Sequence, residues 1–507
     1  MHRVALIEAA WQAPEEVLCA FADEPWALAL LSGGGGPRGR WSYLARRPLR
    51  TLTIRPEDPG DAFAELAALL GPTLEAQPEG PPFQGGLAGL MSYELGARLE
   101  SAGHPGHPDW PQLASGLYPA VLAFDHQDRR IEAAGELRPV RMAGVAGRFQ
   151  PRPELVAHQP GHPDWPQLAC GLYPAVLAFD HQDRRVVAVG RGASDDEAEA
   201  RARGALKPLA VSAPAAPDFG APLSDAFEAI TPGETYEHTV AEVVRRIGEG
   251  EIFQANAARA WGGRLRPGVR PIDLMRRLQG ESPAPFGAYF RLPQRAVVSN
   301  SPERFVRVSA GRGLRVETRP IKGTRPRGAD AEADEALRQE LLACEKDRAE
   351  NLMIVDLMRN DLSRVCPPGT VEVTELFKLE TFKNVHHLVS AVTGRLADGL
   401  KGLDLLEAAF PPGSITGAPK VQAIKVIADY EGPRGPYCGS MFWAGLDGAA
   451  DSSVLIRTVA LTQGAAGWRY EARAGAGIVA DSDPRLERLE TEAKIDAIRR
   501  ALLGESA

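Results

Sequence analysis

Two stretches with helical spacing carry carboxylates three residues apart. Asp347 and Glu350 lie in EALRQELLACEKDRAENLMIVDLMRND, and Glu487 and Glu490 lie in DPRLERLETEAKIDAIRRALL. Residues three apart share one face of a helix. If the two faces oppose each other, their four carboxylates would suit a hard cation such as Mg²⁺, which prefers oxygen ligands. The alternative is a pair of surface helices with salt bridges.

A lysine in an arginine-rich run is a second candidate for chemistry. Lys322 lies in RPIKGTRPRG, close to Arg319, Arg325 and Arg327. Nearby like charges disfavour a protonated amine, and a neutral lysine amine can act as a nucleophile or a base. A solvated basic loop is the alternative interpretation.

Three further runs have the features of ligand contacts. PPGSITGAPK, at 411–420, is a turn before the predicted helix KVQAIKVIADY, where backbone amides and Ser414 or Thr416 could hold an anion. Arg457 lies in the apolar predicted strand SSVLIRTVAL, and a buried arginine needs a carboxylate partner. Gly475 and Gly477, in ARAGAGIVADSD, would let a strand backbone approach a ligand closely.

The elements that position these residues are predicted to be of mixed type. A chain of 507 residues predicts two domains, which we place at 1–215 and 226–507 on either side of the Pro/Ala/Gly-rich stretch near 212–227. In the second domain long helices alternate with short strands, so we expect an α+β fold. Its first helix is predicted to be capped by Thr231, with Pro232 at the first helical position.

Composition excludes several classes of function. The net charge of −8 argues against nucleic acid as the main partner. The five cysteines are scattered and form no CxxC, so neither a disulfide framework nor a structural zinc site is predicted. The N-terminus has no signal-peptide pattern, and no stretch is apolar enough to span a bilayer. We therefore expect a cytoplasmic protein without membrane contact.

A near-perfect duplication interrupts the first domain. Residues 105–130 and 160–185 read PGHPDWPQLA[S/C]GLYPAVLAFDHQDRR and differ only at Ser115 and Cys170. Two nearly identical copies do not fit a solenoid, which uses about three or more similar units. We predict that LYPAVLAF forms one buried strand, that the second copy fills its position, and that the first copy and the spacer 131–159 are redundant.

The motifs, taken in order, resemble the chorismate-utilising enzymes. SPERF, PIKGTRPRG, CEKDRAENLMIVDLMRND, VHHLVSAVTG, GSITGAPK, RGPYCGSMFWAGLDG, SVLIRTVAL and AGAGIVADSDP follow one another across about 228–503. The earlier PRGRWSYLARRP and FQGGLAGLMSYELG resemble the family's N-terminal domain. The resemblance implies the family's fold, in which layered β-sheets are covered by helices.

Within that family, the chain resembles component I of the aminodeoxychorismate synthases most closely. Those enzymes carry PIKGT where anthranilate synthases carry PIAGT, and this chain has Lys322 there. They also tend to carry SITGAPK, which is present here. Isochorismate and salicylate synthases place a water-activating lysine where this chain has Gln254, so water is disfavoured as the nucleophile.

The resemblance also implies roles for individual residues. Lys322 is implied as a nucleophile that attacks C2 of chorismate, Glu303 as the acid that protonates the departing C4 hydroxyl, and ammonia as the second nucleophile. Glu350 and Glu490 are implied as direct Mg²⁺ ligands, with Asp347 and Glu487 acting directly or through water; Asp347 is one methylene shorter than the family's usual Glu. The implied substrate contacts are His387, Ser414, Tyr437, Arg457, Gly475 and Gly477.

The resemblance further implies a partner, because the sequence shows no glutamine-hydrolysing unit. A separate glutamine amidotransferase subunit (component II) would deliver ammonia. Ser32, in ALLSGG, lies where the family's tryptophan-contacting serine would be, although the glycines after it depart from the family pattern. The alternatives are an anthranilate synthase component I and a non-catalytic subunit with the same fold.

Overall fold

A computed structural model of the chain describes residues 3–33, 40–56, 58, 60–73, 81–83, 85–100, 113–118, 175–181, 185–192, 194–211, 220–281, 283–309, 313–382 and 385–505. Within them the strands are β1 (Arg3–Ala10), β2 (Leu28–Leu31), β3 (Trp41–Ala45), β4 (Thr51–Ile54), β5 (Gly86–Met91), β6 (Leu113–Tyr118), β7 (Ala175–Asp180), β8 (Arg185–Gly192), β9 (Glu228–Ala229), β10 (Gln254–Arg264), β11 (Phe286–Leu292), β12 (Arg295–Ser301), β13 (Arg304–Ser309), β14 (Arg315–Thr318), β15 (Ile321–Pro326), β16 (Glu372–Thr381), β17 (Val385–Arg395), β18 (Gly417–Ala418), β19 (Ser440–Gly445), β20 (Ala450–Val454), β21 (Thr458–Gly464) and β22 (Gly467–Ile478).

The helices lie between these strands. They are α1 (Pro14–Cys19), α2 (Ala62–Leu70), α3 (Tyr93–Leu99), α4 (Asp195–Ala205), α5 (Gly233–Gly248), α6 (Pro271–Glu281), α7 (Ala331–Ala343), α8 (Glu345–Ser363), α9 (Gly402–Ala409), α10 (Lys420–Tyr430) and α11 (Pro484–Leu503). Two short 3₁₀ helices cover Lys207–Ala210 and Gly413–Ile415.

The strands form two antiparallel sheets. The first has the order β1-β8-β7-β3-β2-β11-β12-β21-β22-β10-β18, with β9 paired to β10. The second has the order β15-β17-β14-β13-β20-β19-β5-β6-β4, with β16 paired to β17. Side chains of both sheets meet in one core; Trp443 of β19, for example, contacts Tyr43 of β3. Helices pack on the sheets, α11 on β22 and α8 on β17 among them, so the predicted mixed fold of layered sheets covered by helices is confirmed.

Strands from before and after the predicted linker share both sheets. In the first sheet β2 pairs with β11, with Leu31 opposite Gly287. In the second sheet β5 pairs with β19, with Met91 opposite Ser440. The N-terminal residues therefore extend the same sheets that carry the C-terminal motifs.

Each copy of the duplicated unit supplies one strand. LASGLY of the first copy forms β6, which lies between β5 and β4 in the second sheet. AVLAFD of the second copy forms β7, which lies between β3 and β8 in the first sheet. The prediction of one LYPAVLAF strand, taken only from the second copy, is wrong: one proline separates these two segments in each copy, and they belong to different sheets. The spacer 131–159 lies outside the described residues.

Three local predictions need correction. The first acidic stretch is two helices, because Cys344 adopts an extended conformation with ψ 106° between α7 and α8. Arg457 is not inside a strand but in the bend between β20 and β21, with a φ of 52°. Helix α5 begins after Pro232 without a side-chain cap, because the Thr231 hydroxyl accepts a hydrogen bond from the Ala260 amide of β10. No helix among the described residues is long and apolar enough to cross a membrane.

Candidate active site

Lys322 lies on β15, beside helix α8 and strand β22. Its Nζ is 3.6 Å from Oε2 of Glu350 on α8. It also borders Gly477 of β22, where an added Cβ would lie 2.9 Å from Nζ. The next residue, Gly323, has a φ of 83° and sits where any Cβ would meet Leu341 of α7 and Asp347 of α8. Because the helical stretch is broken at Cys344, both α7 and α8 pack closely against the strand that carries Lys322.

The arginines near Lys322 are each paired with carboxylates. Arg319 contacts Glu375 and Glu380, Arg325 contacts Glu340, and Arg327 contacts Asp334. The positive charges expected to act on the Lys322 amine are therefore each balanced by a carboxylate. Within the described part of the chain, the ion pair of Lys322 is with Glu350.

Glu303 is a buried carboxyl group between β12 and β13. Burial raises its pKa to about 7, while a hydrogen bond from the Ser414 hydroxyl and the charges of Lys322 and Lys494 act in the opposite direction. A carboxyl group with this pKa is partly protonated near neutral pH, so Glu303 can serve as a general acid. The side chain of Ser414 and the charge of Lys322 thus both act on the Glu303 carboxyl group.

Four carboxylates line the α8 and α11 side of the site, each beside a basic group. Glu350 is near Lys322, and Nζ of Lys494 is 2.5 Å from Glu490. The remaining contacts are Lys346 with Glu487 at 3.4 Å and Arg325 with Asp347 at 3.2 Å.

Glu350 and Glu490, the two predicted direct metal ligands, have different electrostatics. Burial raises the pKa of Glu350, and the charges of Glu490 and Asp347 raise it further, against Lys322 and Lys346. Burial also acts to raise the pKa of Glu490, but Lys494 holds that pKa below its usual range. Lys346 of α8 pairs with Glu487 of α11, so the acidic segments of the two helices lie next to each other.

The carboxylates are oxygen ligands of the kind a hard cation prefers, but they do not converge on one common position. Four carboxylates supply oxygen ligands, but each is paired with a basic group, and Oδ2 of Asp347 lies 3.2 Å from Arg325. Within the described residues, no three carboxylate, histidine or cysteine side chains converge closely enough to hold an ion. The basic side chains occupy the carboxylates that a metal would otherwise contact.

Two glycines of β22 allow close packing beside Lys322 and Tyr437. A Cβ at Gly475 would lie 2.9 Å from the Tyr437 hydroxyl and 2.7 Å from Oδ1 of Asn256. Tyr437 is buried, which raises its pKa well above the usual value, so the phenol stays a hydrogen-bond donor. Burial lowers the pKa of Arg457, against the charges of Tyr437 and Glu490. Tyr437 thus lies beside Gly475, and its charge acts on Arg457, while Gly477 lies beside Lys322.

His387 enters from β17, opposite Thr324 of β15. Its Nδ1 lies 2.9 Å from Oγ1 of Thr324, two residues from Lys322. Thr416 of the 411–420 turn does not face a ligand, because its hydroxyl donates to the carbonyls of Pro412 and Gly413.

Two residues near the site, Asn256 and Lys494, were not singled out from the sequence, and Gln254 was noted only for the lysine it replaces. Oε1 of Gln254 and Oδ1 of Asn256 are buried and accept no hydrogen bond from the described residues. Lys494 donates to the Gly475 carbonyl at 2.9 Å. The spacing of four between Glu490 and Lys494 on a helix was the one sequence signal for that pair.

Ser32 lies apart from this group. It lines a cavity of about 70 Å³ with Tyr43, Pro285 and Trp443. Its amide donates to the Ser42 hydroxyl at 2.8 Å, and its own hydroxyl donates to the Pro285 carbonyl at 3.4 Å. Tryptophan binding there stays a prediction.

Known proteins place this site in a family. Residues 133–500 match the family described as chorismate binding enzyme. The aminodeoxychorismate synthase component 1 of Klebsiella aerogenes is 36% identical, over 97% of this chain and 98% of that protein. The anthranilate synthase component 1 of Streptomyces coelicolor is 35% identical, over 96% of this chain and 85% of that protein.

A solved structure agrees with these sequence relatives. The crystal structure of anthranilate synthase component I from Streptococcus pneumoniae has a TM-score of 0.70 and 26% identity, and covers 92% of this chain and 93% of that one. The chain belongs to the chorismate binding enzyme family. It is a chorismate-utilising enzyme, and the site around Lys322 is where its motifs converge.

Proposed function

We propose that the protein is component I of an aminodeoxychorismate synthase, which converts chorismate and ammonia to 4-amino-4-deoxychorismate. The observation that carries this proposal is the location of Lys322, between Glu350 and Gly477 and close enough to Glu303 to influence its charge. Relatives named aminodeoxychorismate synthase component 1 support it. Anthranilate synthases are nearly as similar, so the product has to be tested directly.

The proposed reaction has two substitution steps with allylic shift. The neutral Lys322 amine forms a bond to C2 of the ring while the C4–O bond breaks. Glu303 gives its proton to the departing hydroxyl, which leaves as water, and the new secondary amine loses a proton. Ammonia then forms a bond to C4, the C2–N bond to Lys322 breaks, and a proton returns to the lysine. The enolpyruvyl group is retained.

The other residues bind and orient the substrate in this proposal. Tyr437, Arg457 and the Gly477 amide would hold one carboxylate, and His387 and Ser414 would lie near the departing hydroxyl. Glu350 and Glu490, with Asp347 and Glu487, would hold Mg²⁺, which would supply positive charge to the ring carboxylate. Rigid placement of the two carboxylates around the reacting carbons would contribute much of the rate.

Ammonia would come from a separate glutamine amidotransferase subunit. The names of the relatives, which call them component 1, support a second component. Gln254 stands where the water-using members of the family carry a lysine, and a carboxamide cannot deprotonate water. Ammonia is therefore favoured over water as the second nucleophile.

The first experiment identifies the product. The protein is incubated with chorismate, Mg²⁺ and ammonium, and the product is analysed by mass spectrometry while pyruvate is followed with lactate dehydrogenase. We expect aminodeoxychorismate without pyruvate, since the enolpyruvyl group stays attached. Formation of anthranilate with one pyruvate per chorismate would show that the protein is an anthranilate synthase.

The second experiment tests the covalent role of Lys322. Without ammonia, the parent protein should gain the mass of chorismate less one water on the peptide that contains Lys322. Lys322→Ala should lose this adduct and slow aminodeoxychorismate formation greatly, yet still bind chorismate. Lys425→Ala, at an exposed position on α10, is the matched control and should behave as the parent. Parent-like turnover by Lys322→Ala would remove the covalent role.

A further inference from the structure

A buried ion pair joins the far end of α8 to the turn that carries Ser414. Nζ of Lys420 donates to Oδ2 of Asp361 at 2.8 Å and to the Ala409 carbonyl at 2.9 Å. The side chains of Lys420 and Asp361 are only 7% and 3% exposed. Neither residue is among the side chains proposed above to contact the substrate.

Stability alone is a poor explanation for this pair. Lys420 is the first residue of α10, where the helix dipole disfavours a positive charge. Taking both charges out of water is costly, and buried pairs can often be replaced by apolar residues without loss of stability. What the pair does provide is a fixed distance between α8 and the start of α10.

The segment held in this way is the turn from Pro411 to Pro419. On one side it packs on α8, where a Cβ at Gly413 would lie within 2.9 Å of Cγ of Leu357. On the other side it is bonded to β10, because the amide of Asn256 donates to the Thr416 carbonyl at 2.8 Å. Ser414 lies in the middle of the turn, and hydrogen bonding by its side chain acts to lower the pKa of Glu303.

We propose that Lys420 is a positioning residue, which through Asp361 holds the Ser414 turn so that the serine hydroxyl meets the Glu303 carboxyl group. This inference rests on the acid role of Glu303 in the proposed function. Lys420 would thus affect the rate of chorismate consumption without contacting chorismate.

The test is a double-mutant cycle with Lys420→Met, Ser414→Ala and the combined variant, assayed as chorismate consumption with ammonium and Mg²⁺. Lys420→Met should lower kcat about tenfold with little change in the KM for chorismate, since a small displacement of a catalytic contact has this order of effect. In the Ser414→Ala background the same change should lower kcat less than about twofold, because the two residues act through one contact. Equal losses in both backgrounds would overturn the inference.

Two further variants separate positioning from folding. Lys420→Met combined with Asp361→Leu leaves no unpaired buried charge, so it should melt near the parent temperature and still show the low kcat. A folded protein of this kind with parent kcat would also overturn the inference. If neither neutral variant folds, Lys420→Arg takes their place in the cycle, and the same two outcomes decide. Product identity is read separately, so the proposed reaction can fail while the cycle still holds.

Discussion

Gly477→Ala tests the close packing around Lys322. The new Cβ would lie 2.9 Å from Nζ of Lys322, whereas ordinary contacts begin near 3.4 Å, so the amine must retreat by about 0.5 Å. It would come closer still to Nε2 of Gln254, which must move further. Both obstacles are ends of flexible side chains, so the fold should survive. A misplacement of 1 Å at a reacting group costs about a hundredfold, so we expect kcat/KM to fall about tenfold to a hundredfold.

The assay compares steady-state chorismate consumption with thermal unfolding. Gly464→Ala, at the end of β21 in the same hairpin, is the matched control, because a Cβ there has no neighbour within 4 Å. In a Lys322→Ala background, Gly477→Ala should have a smaller effect, since the displaced amine is gone. A folded Gly477→Ala protein with parent kcat/KM would refute this account of how Lys322 is placed.

The remaining predictions concern the acid, the metal and the duplication. Because burial raises the pKa of Glu303 to about 7 and the protonated form is the active acid, kcat/KM should fall as pH rises through about 7, and Glu303→Gln should remove this limb of the profile; a profile that is flat from pH 6 to 8 would exclude the acid role. Glu350→Gln and Glu490→Gln should each weaken Mg²⁺ binding as measured by calorimetry, and excess Mg²⁺ should partly restore activity. Glu345→Gln, at an exposed position of α8, is the control and should leave Mg²⁺ binding unchanged. Full activity of the parent protein in chelator would contradict the metal assignment. Deleting residues 106–160 should leave a folded protein with similar turnover and at least equal solubility, and deleting residues 119–173 should give the same result. Both deletions leave one complete unit, and the two products differ only by cysteine or serine at one position. Unfolded products would show that both copies are structural.

Residue spacing predicted which residues belong to the site better than it predicted which side chains contact each other. The pairs Asp347 and Glu350 or Glu487 and Glu490 follow from helical periodicity, and the glycines of β22 from the need for close backbone approach. The cation beside each carboxylate could not be predicted, because Lys346 and Arg325 reach their partners through tertiary packing. The same holds for Ser414 and Glu303, which are more than a hundred residues apart in sequence.

The fold shows the same division between local and long-range information. Helix α11 was predicted from its helical spacing, and the structure shows in addition that Asp483 caps it. The break at Cys344 was missed because the sequence around it has continuous helical periodicity. The reason for the break lies in tertiary packing, since α7 and α8 both pack closely on Gly323 of β15. Pairing of β2 with β11 and of β5 with β19 joins residues hundreds of positions apart, which no local pattern indicates.

The division of the duplicated unit between two sheets has a genetic consequence. The copies agree at every aligned position of 105–130 and 160–185 except Ser115 and Cys170, so recombination between them removes 55 residues in frame wherever the crossover falls. Every such event yields one of only two chains, with serine or cysteine in the strand equivalent to β6. Each product keeps one LASGLY-type segment and one AVLAFD segment, so a sequence for each strand is present in both products. A single recombination event at any of many equivalent sites would therefore shorten the chain by the same 55 residues.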